Sequence, residues 1–256
     1  MKEGQRLWTR DELIIAINRY YKIPFGRLHS RNPDIIHLSK LIDRTPNAVA
    51  LKLVNFASLD PSLQSRGIKG AANVSKLDRE IWNEFNNNRE VLVFESEVLL
   101  AQYSDTTVEA LNHINELDLP KEEKTRKQII EARVNQAFFR TTILASYNNT
   151  CCITGLQQPE LLIASHIVPW SVDESNRLNP RNGIALNPLH DKAFELGYLT
   201  FTPDYYINIS PVLLNNTHNS FVNLFHKYHN QKMILPSRFL PDLNFLLYHN
   251  TKTFRY

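Results

Sequence analysis

Residues 151–201 read CCITGLQQPELLIASHIVPWSVDESNRLNPRNGIALNPLHDKAFELGYLTF, and this stretch decides the fold of the C-terminal half. Leu161 to Ile167 is an apolar, branched run bounded by Pro159 and Pro169, which predicts a buried strand. His166 falls near its C-terminal end, where a strand hands its side chain to a cleft. Residues 171–181 are polar and contain Pro180, so a loop is expected there. Asn182-Gly183 is a turn signal, because both residue types tolerate positive φ. Ile184 to Leu186 then makes a second short strand. Asn187-Pro188 starts a helix, with Asn as N-cap and Pro in the first helical position. Leu189 and Phe194 are expected to face the core, and Gly197 to stop the helix. The outcome is a ββα unit holding two imidazoles and a carboxamide.

These residue types have a shared chemistry. A neutral imidazole takes a proton from water near neutral pH, which makes His166 a candidate general base. A second imidazole, His190, can ligate a divalent metal. In the first helical turn the dipole disfavours imidazolium and favours the ligating form. Asn182 carries a carboxamide able to brace the loop or orient the base. Arg181 and Lys192 flank these positions and read either as phosphate contacts or as solvated surface charges.

In its motifs the segment resembles the HNH nuclease family, the ββα-metal endonucleases, and within it the branch found in bacterial restriction-type proteins. The matching pieces are Cys152-Ile-Thr-Gly155, Ser165-His-Ile-Val-Pro169, Asn182-Gly-Ile-Ala-Leu186 and His190-Asp-Lys-Ala-Phe194. Arg133-Val-Asn-Gln136 through Phe139-Arg140 to Tyr147 resembles the lead-in helix of such proteins. The resemblance spans roughly residues 125–205. It implies that His166 activates water, Asn182 is the middle residue of the motif, and His190 binds the metal, Mg²⁺ or Mn²⁺. One departure is Ser165, where many members carry an acidic or histidine ligand. A serine hydroxyl is a poor magnesium ligand, so water, DNA phosphate, or a carboxylate such as Asp191 or Glu195 would complete the shell.

The two cysteines, Cys151 and Cys152, are adjacent. No pair of CxxC motifs exists to hold a structural zinc, and vicinal thiols build no disulfide framework. The chain therefore reads as a reduced, cytoplasmic protein. No run of 18 apolar residues occurs, and the segment MKEGQRLWTRDE lacks the apolar stretch of a signal peptide, so no membrane role is expected.

Charge is unevenly spread over the 256 residues. Residues 1–70 carry 12 Lys/Arg against 6 Asp/Glu, residues 71–120 carry 3 against 10, and residues 121–256 carry 14 against 10. Two basic parts flanking an acidic connector fit two nucleic-acid-facing regions. In the first part, Thr9-Arg-Asp-Glu12 is a capping box opening an amphipathic helix with Leu13, Ile14, Ile17 and Tyr20 or Tyr21 on one face. Ile35 to Ile42 has helical spacing, Asp43-Arg44 breaks it, and Thr45-Pro46 starts a third helix. Three short helices with a tight last turn read as a helix-turn-helix, and the segment also resembles a Myb/SANT-type helical domain. The third helix would then enter the major groove, offering Asn47, Lys52 and Asn55 to bases and Arg44 to a phosphate. A helical packing or dimerisation domain is the alternative.

The expected architecture is α+β and mostly helical. It comprises a helical DNA-recognition domain with its connector at 1–118 and an HNH nuclease domain at 119–256, hinged at Leu119-Pro120-Lys121. The expected function is metal-dependent cleavage of double-stranded DNA by a homodimer, as a restriction enzyme acting on foreign DNA, with base-modified duplexes among its candidate substrates. A non-specific toxin or effector nuclease, or a DNA-binding regulator with a degenerate nuclease unit, are the rival readings.

Overall fold

In a computed structural model, which describes residues 6–68 and 74–256, local sequence signals set the helix starts. Thr9 and Glu12 form a reciprocal capping box at the start of α1 (Arg10–Lys22). Asn32 caps α2 (Pro33–Leu41), and Thr45 caps α3 (Pro46–Leu59), each with proline in the first turn. The turn between them is four residues long, with Asp43 at φ 50°. A short α4 (Pro61–Gln64) follows. Ser75 and Asp78 form a second capping box on α5 (Lys76–Asn87), and α6 (Arg89–Tyr103) and α7 (Val108–Leu111) complete the acidic stretch.

The apolar face of α1 is the centre of this first unit. Leu13, Ile14, Ile17, Tyr20 and Tyr21 are all buried, each contributing about 1.5–3 kcal/mol of transfer free energy. They pack among α3, α5 and α6, where Phe56, Trp82 and Phe85 join the two tyrosines in an aromatic cluster. Two buried ion pairs tie the helices together. Arg44 meets Glu12 at 2.7 Å, and Lys52 meets Asp78 at 2.8 Å. Leu51 stays 58 % exposed on the outer face of α3.

Helix α8 (Glu123–Ser146) begins after the Leu119-Pro120 break and runs 24 residues. Packing divides the chain at Phe138/Phe139 within it, giving units Met1–Phe138 and Phe139–Tyr256. The expected boundary is 118/119, at the Leu119-Pro120-Lys121 hinge. The division falls later because Phe138 joins the first unit's aromatic cluster, against Tyr21 and Phe85, while Phe139 stacks in the second unit.

The second unit contains two small antiparallel sheets. Strands β1 (Ile163–His166) and β2 (Gly183–Leu186) pair in the register Ile163 with Leu186 through His166 with Gly183. After them come α9 (Pro188–Glu195), then β3 (Leu199–Phe201) paired with β4 (Ile207–Ile209). Gly197 closes α9 in a Schellman arrangement. Its φ is +77°, its N–H meets the Phe194 carbonyl, and the Tyr198 N–H meets that of Ala193. Short helices α10 (Pro211–Leu214) and α11 (Asn219–Leu224) precede α12 (Leu243–Lys252), which packs on β3. Among the described residues, no helix is long and apolar enough to cross a membrane.

Candidate active site

His166 is the last residue of β1, as its place in the apolar run requires. Its Nε2 lies 2.8 Å from the Arg177 carbonyl oxygen. A carbonyl only accepts, so Nε2 carries the hydrogen and a neutral ring keeps its lone pair on Nδ1. One face of the ring lies flat on Phe139, centroids 3.8 Å apart and planes within 8°. Trp170 meets it edge-on at 5.5 Å. Burial holds the imidazole below its ordinary pKa of 6.5, only partly offset by the bond to Arg177, so the neutral form prevails at neutral pH.

Asn182 is fully buried and touches no open cleft. Its Oδ1 accepts the Val168 N–H at 2.8 Å, and its Nδ2 donates to the carbonyls of Val168 and Asn176. It clamps the backbone just past His166, so its place is that of a brace rather than a reacting group. The adjacent Gly183 adopts extended backbone, φ −140°, so Asn182-Gly183 is not the positive-φ turn expected. Glycine is needed here for space. A Cβ at 183 would stand 2.4 Å from Ile143 Cδ1 and 2.7 Å from Phe139 Cζ.

The two histidines do not share a cleft. His190 is 2 % exposed, with Nδ1 accepting from the Asn187 amide at 3.0 Å and Nε2 donating to the Leu224 carbonyl at 2.7 Å. Phe225 and Tyr228 enclose the ring edge-on. Both ring nitrogens are thus used inside the unit, leaving no lone pair for the metal that the sequence assigned to it. Leu189, expected in the core, is 45 % exposed; α9 buries His190, Ala193 and Phe194 instead.

That rotation carries Asp191 and Glu195 to the cleft. A cavity of about 270 Å³ is lined by Ser165, His166, Pro169, Asp191, Glu195 and Thr253, among others. Burial, with the Glu195 charge adding to it, raises the Asp191 carboxyl above its ordinary pKa, while a hydrogen bond from Ser165 and the Lys192 charge oppose the rise. Ser165 is buried beside His166, where the family pattern would have placed a ligand, and helps hold the Asp191 carboxyl down. Among the described residues no three His, Cys, Asp or Glu side chains are grouped to hold a metal ion, so a cation here would meet the carboxylates of Asp191 and Glu195 and take the rest of its shell from water and phosphate oxygens. The i, i+4 spacing of Asp191 and Glu195 and the 190/193/194 apolar-side pattern were both present in the sequence.

The remaining expected contacts divide. Arg44 donates to both Glu12 oxygens and to the carbonyls of Arg6 and Leu7, and its guanidinium covers Trp8. Lys52 is buried against Asp78. Both side chains are engaged within the first unit on the wall of one cavity, and Asn55 of α3, expected to be exposed, is buried there too. Asn47 is exposed in the first turn of α3. Arg181 is half-exposed and paired with Asp242 at 3.0 Å, and Lys192 is exposed and paired with Glu195 at 2.8 Å.

A comparison with protein families matches residues 151–202 to the model HNH_2, described as HNH endonuclease. The match covers β1, the loop, β2, α9 and β3, and leaves the first unit outside it. No curated protein matches the chain. In its motifs and in this match, the ββα segment 151–202 is similar to the HNH endonucleases.

Proposed function

We propose that the chain is a metal-dependent DNA endonuclease of the restriction type. Its second unit hydrolyses a phosphodiester bond, and its first unit selects duplex DNA. The observation that carries the reading is the cavity that a neutral His166, its Nδ1 without a hydrogen-bond partner among the described residues, lines together with Asp191 and Glu195. In this reading His166 Nδ1 takes a proton from a water molecule, whose oxygen attacks phosphorus. The bond to the 3′-oxygen breaks, and that oxygen takes up a proton from solvent. Asp191 and Glu195 would hold the Mg²⁺ or Mn²⁺, which when bound stabilises negative charge on the phosphate and leaving oxygen. Asn182 keeps the Val168 backbone, and through it the strand end bearing His166, in place.

The first unit supports a helix-turn-helix role through its tight α2–α3 turn and the exposed Asn47 at the start of α3. Arg181 and Lys192 would exchange their exposed carboxylate partners for DNA phosphates. One site cuts one strand, so a double-strand cut calls for a homodimer with two such sites. Foreign DNA in the cytoplasm is the substrate this arrangement serves. Nicking of supercoiled plasmid by the full chain tests the activity. Cleavage with Mg²⁺, blocked by EDTA and lost in His166→Ala with DNA binding retained, is the expected result. Pure protein that binds DNA but never nicks it in Mg²⁺ or Mn²⁺ would reject the reading.

A further inference from the structure

Two elements of the second unit reach the His166 ring from different parts of the chain. Arg177 and Trp170 lie on the loop between β1 and β2, whose residues 171, 172, 174 and 175 are exposed. Phe139 comes from α8, 27 positions before the histidine in sequence, and is itself 3 % exposed. The hydrogen bond to Arg177 fixes one ring atom, Nε2. An imidazole held at one atom can still rock about that bond, and the arc described by Nδ1 is then wide. A flat aromatic surface at van der Waals distance removes that freedom, because any tilt of the ring drives it into the neighbouring face. A helix is also a steadier support than a polar loop.

The strand opposite is adapted to this contact. His166 pairs in register with Gly183, and the space a Cβ at 183 would fill is taken by Phe139 and Ile143 of α8. The glycine thus lets the helix approach the strand pair closely enough for Phe139 to lie against the histidine. None of this is needed to bury Phe139, which any apolar wall would do. It is needed to put an aromatic face parallel to that one ring.

We propose that Phe139 is a positioning residue for the hydrolytic step, holding the His166 imidazole in the plane from which Nδ1 meets the attacking water. The proposal rests on the nuclease reading above. Its flat ring, rather than its volume, sets the rate of the chemical step.

The test uses the full-length protein and magnesium-dependent nicking of supercoiled plasmid, with kcat and KM for DNA measured separately. Phe139→Leu keeps an apolar side chain but removes the flat face. Phe201→Leu makes the same chemical change at an equally buried site on β3, where the ring packs on Phe194 rather than on His166. The expected result is a fall in kcat on the order of 10-fold for Phe139→Leu with KM nearly unchanged, and a kcat close to wild type for Phe201→Leu. Should Phe139→Leu fold poorly, Phe139→Met supplies the flexible, volume-matched substitute, and the same fall in kcat is expected of it. A Phe139 variant with wild-type kcat would overturn the positioning role. So would losses of activity that track melting temperature equally in the Phe139 and Phe201 variants. A wild-type protein without metal-dependent nicking, or a His166→Ala variant as active as wild type, would instead overturn the nuclease reading and the positioning role with it.

Discussion

At the scale of single residues, the site rests on which ring nitrogen is free. His166 spends Nε2 on Arg177 and keeps Nδ1, whereas His190 spends both nitrogens inside the unit. Removing the base in His166→Ala should lower kcat by roughly 10²- to 10⁴-fold. Because burial depresses its pKa, cleavage in wild type should climb with pH through a midpoint below 6.5 and be flat at neutral pH. A pH–rate profile of plasmid nicking checks this, and a midpoint above 6.5 would contradict it. Asp191→Asn should weaken Mn²⁺ binding measured by calorimetry, roughly 10-fold or more, since a carboxamide is a poorer ligand than a carboxylate. His190→Gln should leave Mn²⁺ binding near wild type and lower stability by about 1–3 kcal/mol, the cost of stranding buried hydrogen-bonding groups. The strand-end position of His166 was legible because a run with prolines on both sides leaves little choice of register. The surroundings of His190 were not, because the motif was read by residue type, while the helix buries positions 190, 193 and 194 and turns 189 outward.

At the scale of elements, most helix starts were legible and the close contacts were not. The Thr9–Glu12 capping box and the Asn187-Pro188 start of α9 are local signals, and each appears where the chain predicts it, while the Ser75–Asp78 box emerges only in the structure. The short strand β3 was not anticipated, since three residues carry too little periodicity to separate strand from the end of a helix. Gly183 shows the same limit in another form. Its neighbour Asn182 suggested a turn, but the real requirement is the approach of α8, 40 positions earlier in sequence, which no local pattern records. Gly183→Ala should therefore destabilise by about 1–3 kcal/mol through overpacking against Ile143 and Phe139. It should also slow cleavage, because Phe139 must shift away from His166. Thermal melting and nicking rates on the same preparation check both effects, and a neutral substitution would mean that the approach is looser than described.

At the scale of the whole molecule, two sets of buried charges bear on stability. Lys52 and Asp78 are paired out of water, so Lys52→Met leaves a buried carboxylate alone and should cost about 3–5 kcal/mol, read by denaturant unfolding. DNA binding, by contrast, should lose no more than the lost stability explains, since the Lys52 ammonium is turned inward. Acid should also weaken the fold. His249 is pushed down to about 4 by burial, against an ordinary 6.5, despite the bond from its Nε2 to the Phe194 carbonyl. The unfolded chain then binds a proton that the folded chain refuses, so stability present above pH 6.5 is lost as pH falls toward 4, on the order of 3 kcal/mol in all. Glu12 acts in the same direction at lower pH. Burial raises its carboxyl, but hydrogen bonds from Arg44 and the Thr9 backbone, with the Arg44 and Arg6 charges, bring the net below the ordinary value, so protonation costs stability. Melting curves from pH 7 to 4 on wild type and His249→Gln should show the smaller loss in the variant. The division between units at Phe138/Phe139 was not legible in the sequence, because a continuous helix gives no break where its packing partners change.

In the proposed function hydrolysis takes place at the cleft of His166 and Asp191, and His190 serves the core. Side-by-side nicking of supercoiled plasmid in Mg²⁺ by wild type, His166→Ala, Asp191→Asn and His190→Gln tests that assignment most directly. The expected result is near-complete loss in the first two variants and cleavage within about tenfold of wild type in His190→Gln. Wild-type cleavage by Asp191→Asn, with loss confined to a folded His190→Gln, would contradict it.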